Sequence, residues 1–385
     1  MKARSGSALK ITKINVKALK TKATGAQDTA TASITSKESC IVEIHTDDGL
    51  VGIGDAQRPE SPQAMCYIIK DLFSQILLNS DPSNIEQLWH SMYHIMRTRG
   101  RTKGLTIEAM SAVDMALWDL FAKSLRLPIY KVLGGKYNDK IRCYATEIMY
   151  GKPNQERLKD AESFVKNGFN AFKVTVGADL DKDAKFIGEL RDRFGLDVDI
   201  AVDANCALSF KSAVRFAKAL ERFQLLWLEE PMPPEFLNDY VELRKLSMIP
   251  IAAGESEFTV YGFKDWIASH ALDIVQPDVG RVGGITQSKK VANMAEAFGL
   301  SFAPHIGHGS ALVYAATMHL ATSSPNFLIF ELEQVDNPLR ERLLSDRIDL
   351  QTNGFLRAPE KPGLGVDLNL DFVKTCQLME LTIQS

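Results

Sequence analysis

The chain has 385 residues, 45% of them hydrophobic and 24% charged, with a formal net charge of −3. That balance belongs to a globular protein long enough for two or three domains. The small charge, mixed along the chain, argues against nucleic-acid binding, and without an apolar run of about 18 residues no membrane span is expected. Cys40, Cys66, Cys143, Cys206 and Cys376 are scattered, odd in number and without a CxxC pair, and the basic start of the chain lacks an apolar signal core. Free thiols in a reducing compartment, the cytoplasm, are the expectation.

Taken in order, residues 11–19 alternate as a strand does, and residues 21–37, rich in Thr, Ser and Ala, are expected to form a mobile loop or lid. Residues 40–46 and 50–54, joined by Asp47-Asp48-Gly49, form a predicted hairpin. Helical spacing follows over 62–78, 84–96 and 107–124; in the last, Met110, Val113, Leu117, Leu120 and Phe121 make one apolar face. Strands followed by helices without alternation indicate an α+β domain over 1–130.

Beyond Leu133-Gly134-Gly135 the rhythm changes. Short apolar runs end in Asp203, Glu229, Glu255, Asp278, His305 and Glu331, at intervals of 23 to 27 residues. One strand, one helix and two short loops fill about that length. With predicted strands at 141–146 and 171–176 the count is eight, so residues 131–345 are assigned a parallel (β/α) barrel. Six ionisable groups would converge on its C-terminal face, where such barrels carry their chemistry. After Asn337-Pro338 the rhythm stops, and residues 346–385 are expected to return to the first domain.

Three carboxylates brought together repel, and an unpaired buried charge is costly. A hard divalent cation resolves the conflict, and Mg2+ suits the all-oxygen set Asp203, Glu229 and Glu255. Strand alternation sends only one of Glu229 and Glu230 inward, and the period favours Glu229. Asp278 beside His305 can fix the imidazole tautomer and raise its basicity, which makes His305 a general base. Lys173, on the second strand, would attract a substrate carboxylate. Glu331 is out of place beside such a substrate unless it is protonated or acts through a partner.

At these residues the chain resembles the enolase superfamily, and within it the mandelate racemase-like acid-sugar dehydratases. The resemblance rests on Phe172-Lys173-Val174-Thr175-Val176-Gly177, Val202-Asp203-Ala204-Asn205, Trp227-Leu228-Glu229-Glu230-Pro231, Gly254-Glu255, Gln276-Pro277-Asp278-Val279-Gly280-Arg281 and Ala303-Pro304-His305. It extends more loosely to residues 112–120. It implies an N-terminal capping domain on a modified TIM (β/α)7β-type barrel. It also implies Mg2+ on Asp203, Glu229 and Glu255, a His305–Asp278 dyad, and capping loops that close over a sugar-acid substrate. Thr175, Asn205 and Arg281 become candidate substrate contacts, and a homo-oligomer is expected.

One departure shapes the expected reaction. Many relatives carry Lys-x-Lys on the second strand, the second lysine being a base; here the pair is Lys173 and Thr175. Some sugar-acid dehydratases carry a histidine where Asn205 stands. With His305 the one evident base, elimination of water from a sugar acid is the expected reaction. Epimerisation or cycloisomerisation with a base from a capping loop, or a non-catalytic metal-binding relative, are the alternatives.

Overall fold

The computed structural model describes residues 9–28, 33–56, 61–348 and 354–384. The N-terminal region opens with three antiparallel strands, β1 (Ile11–Asp28), β2 (Ser33–Thr46) and β3 (Val51–Ala56). The predicted loop over residues 21–37 is corrected here. Residues 21–28 and 33–37 are strand, with Thr21 opposite Lys37 and Lys22 opposite Ser36; residues 29–32 lie outside the described residues. Threonine has a high strand preference, and a ladder extending away from an apolar core needs no large apolar residues, so the poor hydrophobicity misled.

Against this sheet lies the helix Leu105–Leu125, buried on nearly every side. It is apolar around its circumference because it is wedged between two partners. A Cβ on Gly52 or Gly54 would meet the carbonyl oxygen of Ala116 or Ala112 at 2.1 Å, so β3 can approach the helix only with glycine there. On the barrel side Asp114 accepts hydrogen bonds from Thr286 Oγ1 and N, while Asp119 accepts from the N–H groups of Ile53, on β3, and of Leu364. The helix thus clamps the capping sheet to the barrel.

The barrel strands are β4 (Ile141–Ile148), β5 (Ala171–Thr175), β6 (Asp199–Asp203), β7 (Leu228–Glu229), β8 (Ile251–Ala253), β9 (Ile274–Val275), β10 (Ser301–Phe302) and β11 (Phe330–Glu333). All eight are parallel, in the order β10-β9-β8-β7-β6-β5-β4-β11. Phe302 N donates to Asn326 O at 2.9 Å and Leu328 N to Phe302 O at 2.8 Å, which closes the ring between β10 and the chain entering β11. One helix of ten or more residues separates each strand from the next, from Asn154–Lys166 to Ala311–Ser323. This is the (β/α)7β barrel with an N-terminal capping domain. Ile200, Val202, Leu228, Ile251 and Val275 pack with the surrounding helices, and a separate cluster that includes Tyr144, Ala201, Trp227 and Ala252 fills the barrel interior.

The segment 346–385 divides between the two regions. Strand β12 (Phe355–Leu356) pairs with the start of β4, on the barrel, and β13 (Gln377–Gln384) pairs antiparallel with β1, on the capping sheet. None of the helices among the described residues is long and apolar enough to cross a membrane.

Candidate active site

The C-terminal ends of the barrel strands carry the ionisable residues. Asp203 is the last residue of β6 and Glu229 the last of β7, while Glu255 lies two residues beyond β8. One ligand oxygen from each of these three carboxylates lies within 4.8 Å of the others. The donor set is all oxygen and buried or nearly so, and it fits a hard divalent cation.

Lys173, from β5, offsets part of the charge. Its Nζ lies 2.5 Å from Glu229 Oε1, 3.2 Å from Glu331 Oε1 and 3.4 Å from Asp203 Oδ2. Burial disfavours the ammonium, but Glu229 and Glu331 outweigh it and hold the lysine charged well above neutrality. Glu229 also accepts from Trp227 Nε1 at 2.7 Å and Gln276 Nε2 at 2.9 Å. Asp203 is pushed well above the ordinary carboxylate range, first by burial and then by Glu229.

The expectation that only one of Glu229 and Glu230 turns inward needs correction: both are buried. Glu230 follows the strand with φ +34°, so alternation no longer governs it, and its Oε2 accepts from Cys206 Sγ at 3.2 Å. Asn205 (φ +42°) and Cys206 (φ +61°), after β6, are also in the left-handed region. Such backbone is costly for non-glycine residues and collects at functional sites. Burial, then Glu255 and Asp203, push Glu230 up, which suits a protonated neighbour of the metal triad.

Glycine is required before Glu255. Gly254 has φ +135°, and a Cβ there would lie 2.7 Å from the Phe263 ring. Gly254→Ala is expected to cost about 2 kcal/mol or more from strain and overpacking and to weaken divalent-ion binding by displacing Glu255. Thermal melts with and without Mg2+ would check both, and an unchanged ion response would show that Glu255 stays in place.

Across the mouth, His305 Nδ1 lies 2.7 Å from Asp278 Oδ2, and Asp278 Oδ1 accepts from Gly280 N at 2.8 Å. His305 Nε2 points the other way, 3.4 Å from Glu255 Oε2 and 4.0 Å from Glu331 Oε2. Burial lowers the ring's proton affinity, but Glu255, Glu331 and Asp278 outweigh it and push it up to about 10. Glu331 takes the second of the two alternatives expected for it, acting through partners rather than as a protonated acid. Burial raises its affinity for a proton, yet Lys173, His305 and the N–H groups of Gly307 and Ile306 bring it down to about 2.

The other expected contacts are placed as follows. Thr175 ends β5, buried, on the same face as Lys173. Asn205 N donates to Asp203 Oδ1 at 2.9 Å, and its buried Oδ1 has no hydrogen-bond partner among the described residues. Arg281 Nε lies 3.3 Å from Glu108 on the long capping helix. A group at the mouth that the strand-end pattern did not reveal is Lys37, His308 and Glu333. Lys37 was hidden in the supposed loop, while the two-residue step from Glu331 to Glu333 was a signal for the acid.

A closed parallel barrel under a cap thus carries three carboxylates, a lysine and a histidine–carboxylate pair at its C-terminal mouth. The family described as "Enolase C-terminal domain-like" matches residues 156–372, and that described as "Mandelate racemase / muconate lactonizing enzyme, N-terminal domain" matches residues 11–134. The chain belongs to the enolase superfamily, in its mandelate racemase/muconate lactonizing enzyme-like branch. It is 35% identical to an arabinonate dehydratase of Saccharolobus solfataricus, over 85% of this chain and 87% of that protein. It is 30% identical to a D-galactarolactone cycloisomerase of Agrobacterium fabrum, over 94% and 97% respectively. A solved racemase from Streptomyces coelicolor A3(2), with bound magnesium, superposes with a TM-score of 0.88 at 29% identity, covering 96% of this chain and all of that one (100%).

Proposed function

We propose that the protein is a Mg2+-dependent dehydratase that converts an aldonic or aldaric acid to a 2-keto-3-deoxy acid. The observation that carries this reading is the His305–Asp278 dyad, with Nε2 aimed toward the metal triad, opposite a β5 face where Thr175 stands in place of a second base. Asp203, Glu229 and Glu255 would hold the ion, which supplies fixed positive charge against the substrate carboxylate.

The chain's own residues do the rest. The Lys173 ammonium faces the carboxylate and the charge that develops on it, the kind of preorganised donor that lowers such barriers most. Asp278 orients the imidazole and steadies its protonated form. With the charge of Glu255 taken up by an ion, the largest influence that raises His305 is removed, and the neutral ring then takes the α-proton at Nε2, breaking the C2–H bond; Glu331 stands by the resulting imidazolium. The electron pair then forms the C2–C3 double bond as the C3–O bond breaks. His305 returns its proton to the departing hydroxyl, so water leaves on the face from which the proton came. The enol tautomerises to the 2-keto-3-deoxy acid.

Ion binding needs the triad ionised, and without an ion burial and Glu229 raise the proton affinity of Asp203. Mg2+ binding is therefore expected to release protons and to tighten as pH rises. Calorimetry in two buffers of different ionisation enthalpy measures this; proton uptake would contradict it. The reaction itself is tested by screening aldonic and aldaric acids with Mg2+ for 2-keto acid formation. A cycloisomerase is the second reading, favoured by the full-length similarity to the Agrobacterium protein; product of unchanged mass formed from a cyclic acid derivative, without loss of water, would select it.

A further inference from the structure

Three donors converge on Glu229, and their number decides which of its oxygens is left for an ion. Trp227 precedes β7 and Glu229 ends it; two apart, they share the inward face of the barrel, and the indole rises beneath the carboxylate. Trp227 is wholly buried, edge-on to the Tyr144 ring at 5.3 Å between centroids. Its Nε1 donates to Glu229 Oε2 at 2.7 Å. Gln276, the residue after β9 and also buried, donates from Nε2 to the same oxygen at 2.9 Å. Lys173 Nζ donates to the other oxygen, Oε1, at 2.5 Å.

A carboxylate group has about four lone-pair sites, two on each oxygen. The indole and the amide fill both of those on Oε2, and Lys173 fills one on Oε1. A single site remains, on Oε1. Glu229 can therefore offer an ion its second oxygen only by breaking a buried hydrogen bond, and a buried donor left without its acceptor is costly. Among the described residues no oxygen of Asp203 or Glu255 is filled in this way. Asp203 Oδ1 accepts from Asn205 N and its Oδ2 lies 3.4 Å from Lys173 Nζ, while Glu255 Oε2 faces His305 Nε2 at 3.4 Å. The restriction thus falls on one ligand of the three. It bears on the choice of ion. Mg2+ demands near-ideal octahedral geometry, which the narrow bite of a two-oxygen carboxylate spoils. Ca2+ is larger, takes about six to eight oxygens in flexible geometry, and accepts carboxylates through one oxygen or both.

We propose that Trp227 and Gln276 are positioning residues that fill Glu229 Oε2, confine this carboxylate to one-oxygen ligation through Oε1, and so select Mg2+ over Ca2+. This inference rests on the reading of the triad as a divalent-ion site and is independent of the reaction assigned to it. Neither side chain is a ligand; each acts through the carboxylate, as partners behind metal ligands do.

The test titrates the full-length protein, stripped of metal, with Mg2+ and with Ca2+ by calorimetry. Wild type is expected to bind Mg2+ the more tightly. Trp227→Phe keeps an aromatic ring without the donor, and Gln276→Met keeps the length of the side chain without the amide. Each is expected to weaken Mg2+ about 10–100-fold, the usual cost of losing a partner behind a metal ligand. Ca2+, able to use the freed oxygen, should change by no more than about threefold. The ratio of the two is the readout, because a variant that only loosens the fold loses both ions alike. Where melting in chelator shows Trp227→Phe to be unfolded, Gln276→Met carries the test. Equal losses for the two ions, or none, would overturn the proposal, as would a wild type that does not favour Mg2+. If wild type binds neither ion, the metal reading falls and the inference with it. If the variants lose the preference while wild type dehydrates no acid, the dehydratase reading fails and the selection stands.

Discussion

His305→Asn is expected to lower dehydration by about 10²–10⁴-fold, the usual share of a positioned general base, while Mg2+ binding and the fold persist. Asparagine can still meet Asp278, but it cannot take a proton near neutral pH. The Nε2 position between Glu255 and Glu331 marks this nitrogen as the one that faces substrate. The decisive measurement is exchange of the substrate α-proton in D2O, followed by NMR beside keto-acid formation. If the variant still exchanges and still dehydrates at near wild-type rates, the base lies elsewhere and the dyad is structural. Loss of both with unchanged substrate Kd would assign the proton transfer to this ring.

Asp203→Asn should abolish the Mg2+ response and, in the absence of ions, stabilise the protein as pH rises. The sign follows from the raised proton affinity of Asp203. In the unfolded chain the group ionises near its ordinary value of 3.8; in the fold it ionises well above it. Between those limits the folded state binds the extra proton, so stability falls with rising pH and its full cost is felt once pH passes the folded value. Glu331, held down to about 2, acts the other way and only at low pH, where protonating it removes stability. The difference between wild type and Asp203→Asn isolates the first effect. Melting temperatures in chelator from pH 5 to 9 should diverge in favour of the variant, and saturating Mg2+ should raise wild type alone. A variant less stable than wild type across this range in chelator would mean that Lys173 already balances the triad without an ion.

These two outcomes depend on features that differ in how visible they were in the chain. The barrel was legible because its strands recur at intervals of 23 to 27 residues and each ends in an ionisable group, which is a local pattern with one economical explanation. Asp203, Glu229 and Glu255 followed from the same regularity, and the structure brings their oxygens together. Asp278 and His305 are neighbours because consecutive parallel strands are neighbours, a rule of connection rather than of composition.

Where the local rules lapsed, the reading lapsed with them. Alternation holds only within a strand, so it could not say that Glu230, one residue past β7 at φ +34°, would be buried beside Cys206. Nor could it say that Glu331 would be ionised, since its charge state comes from Lys173, 158 positions before it in the chain, and from two backbone N–H groups of another loop. The stretch 21–37 looked like a loop because its side chains are small and polar, but backbone pairing between β1 and β2 needs no apolar side chains.

Periodicity and motif spacing in the chain specify the strands, their order and the residues at their ends, because burial of apolar runs and the hand of βαβ connections are local and general. The charge of each buried group, and which distant side chain shares its space, depend on distances set by packing. Lys37 meeting Glu333 across 296 residues is decided when the capping sheet seats on the barrel, since a buried lysine is stable only where a carboxylate is delivered to it.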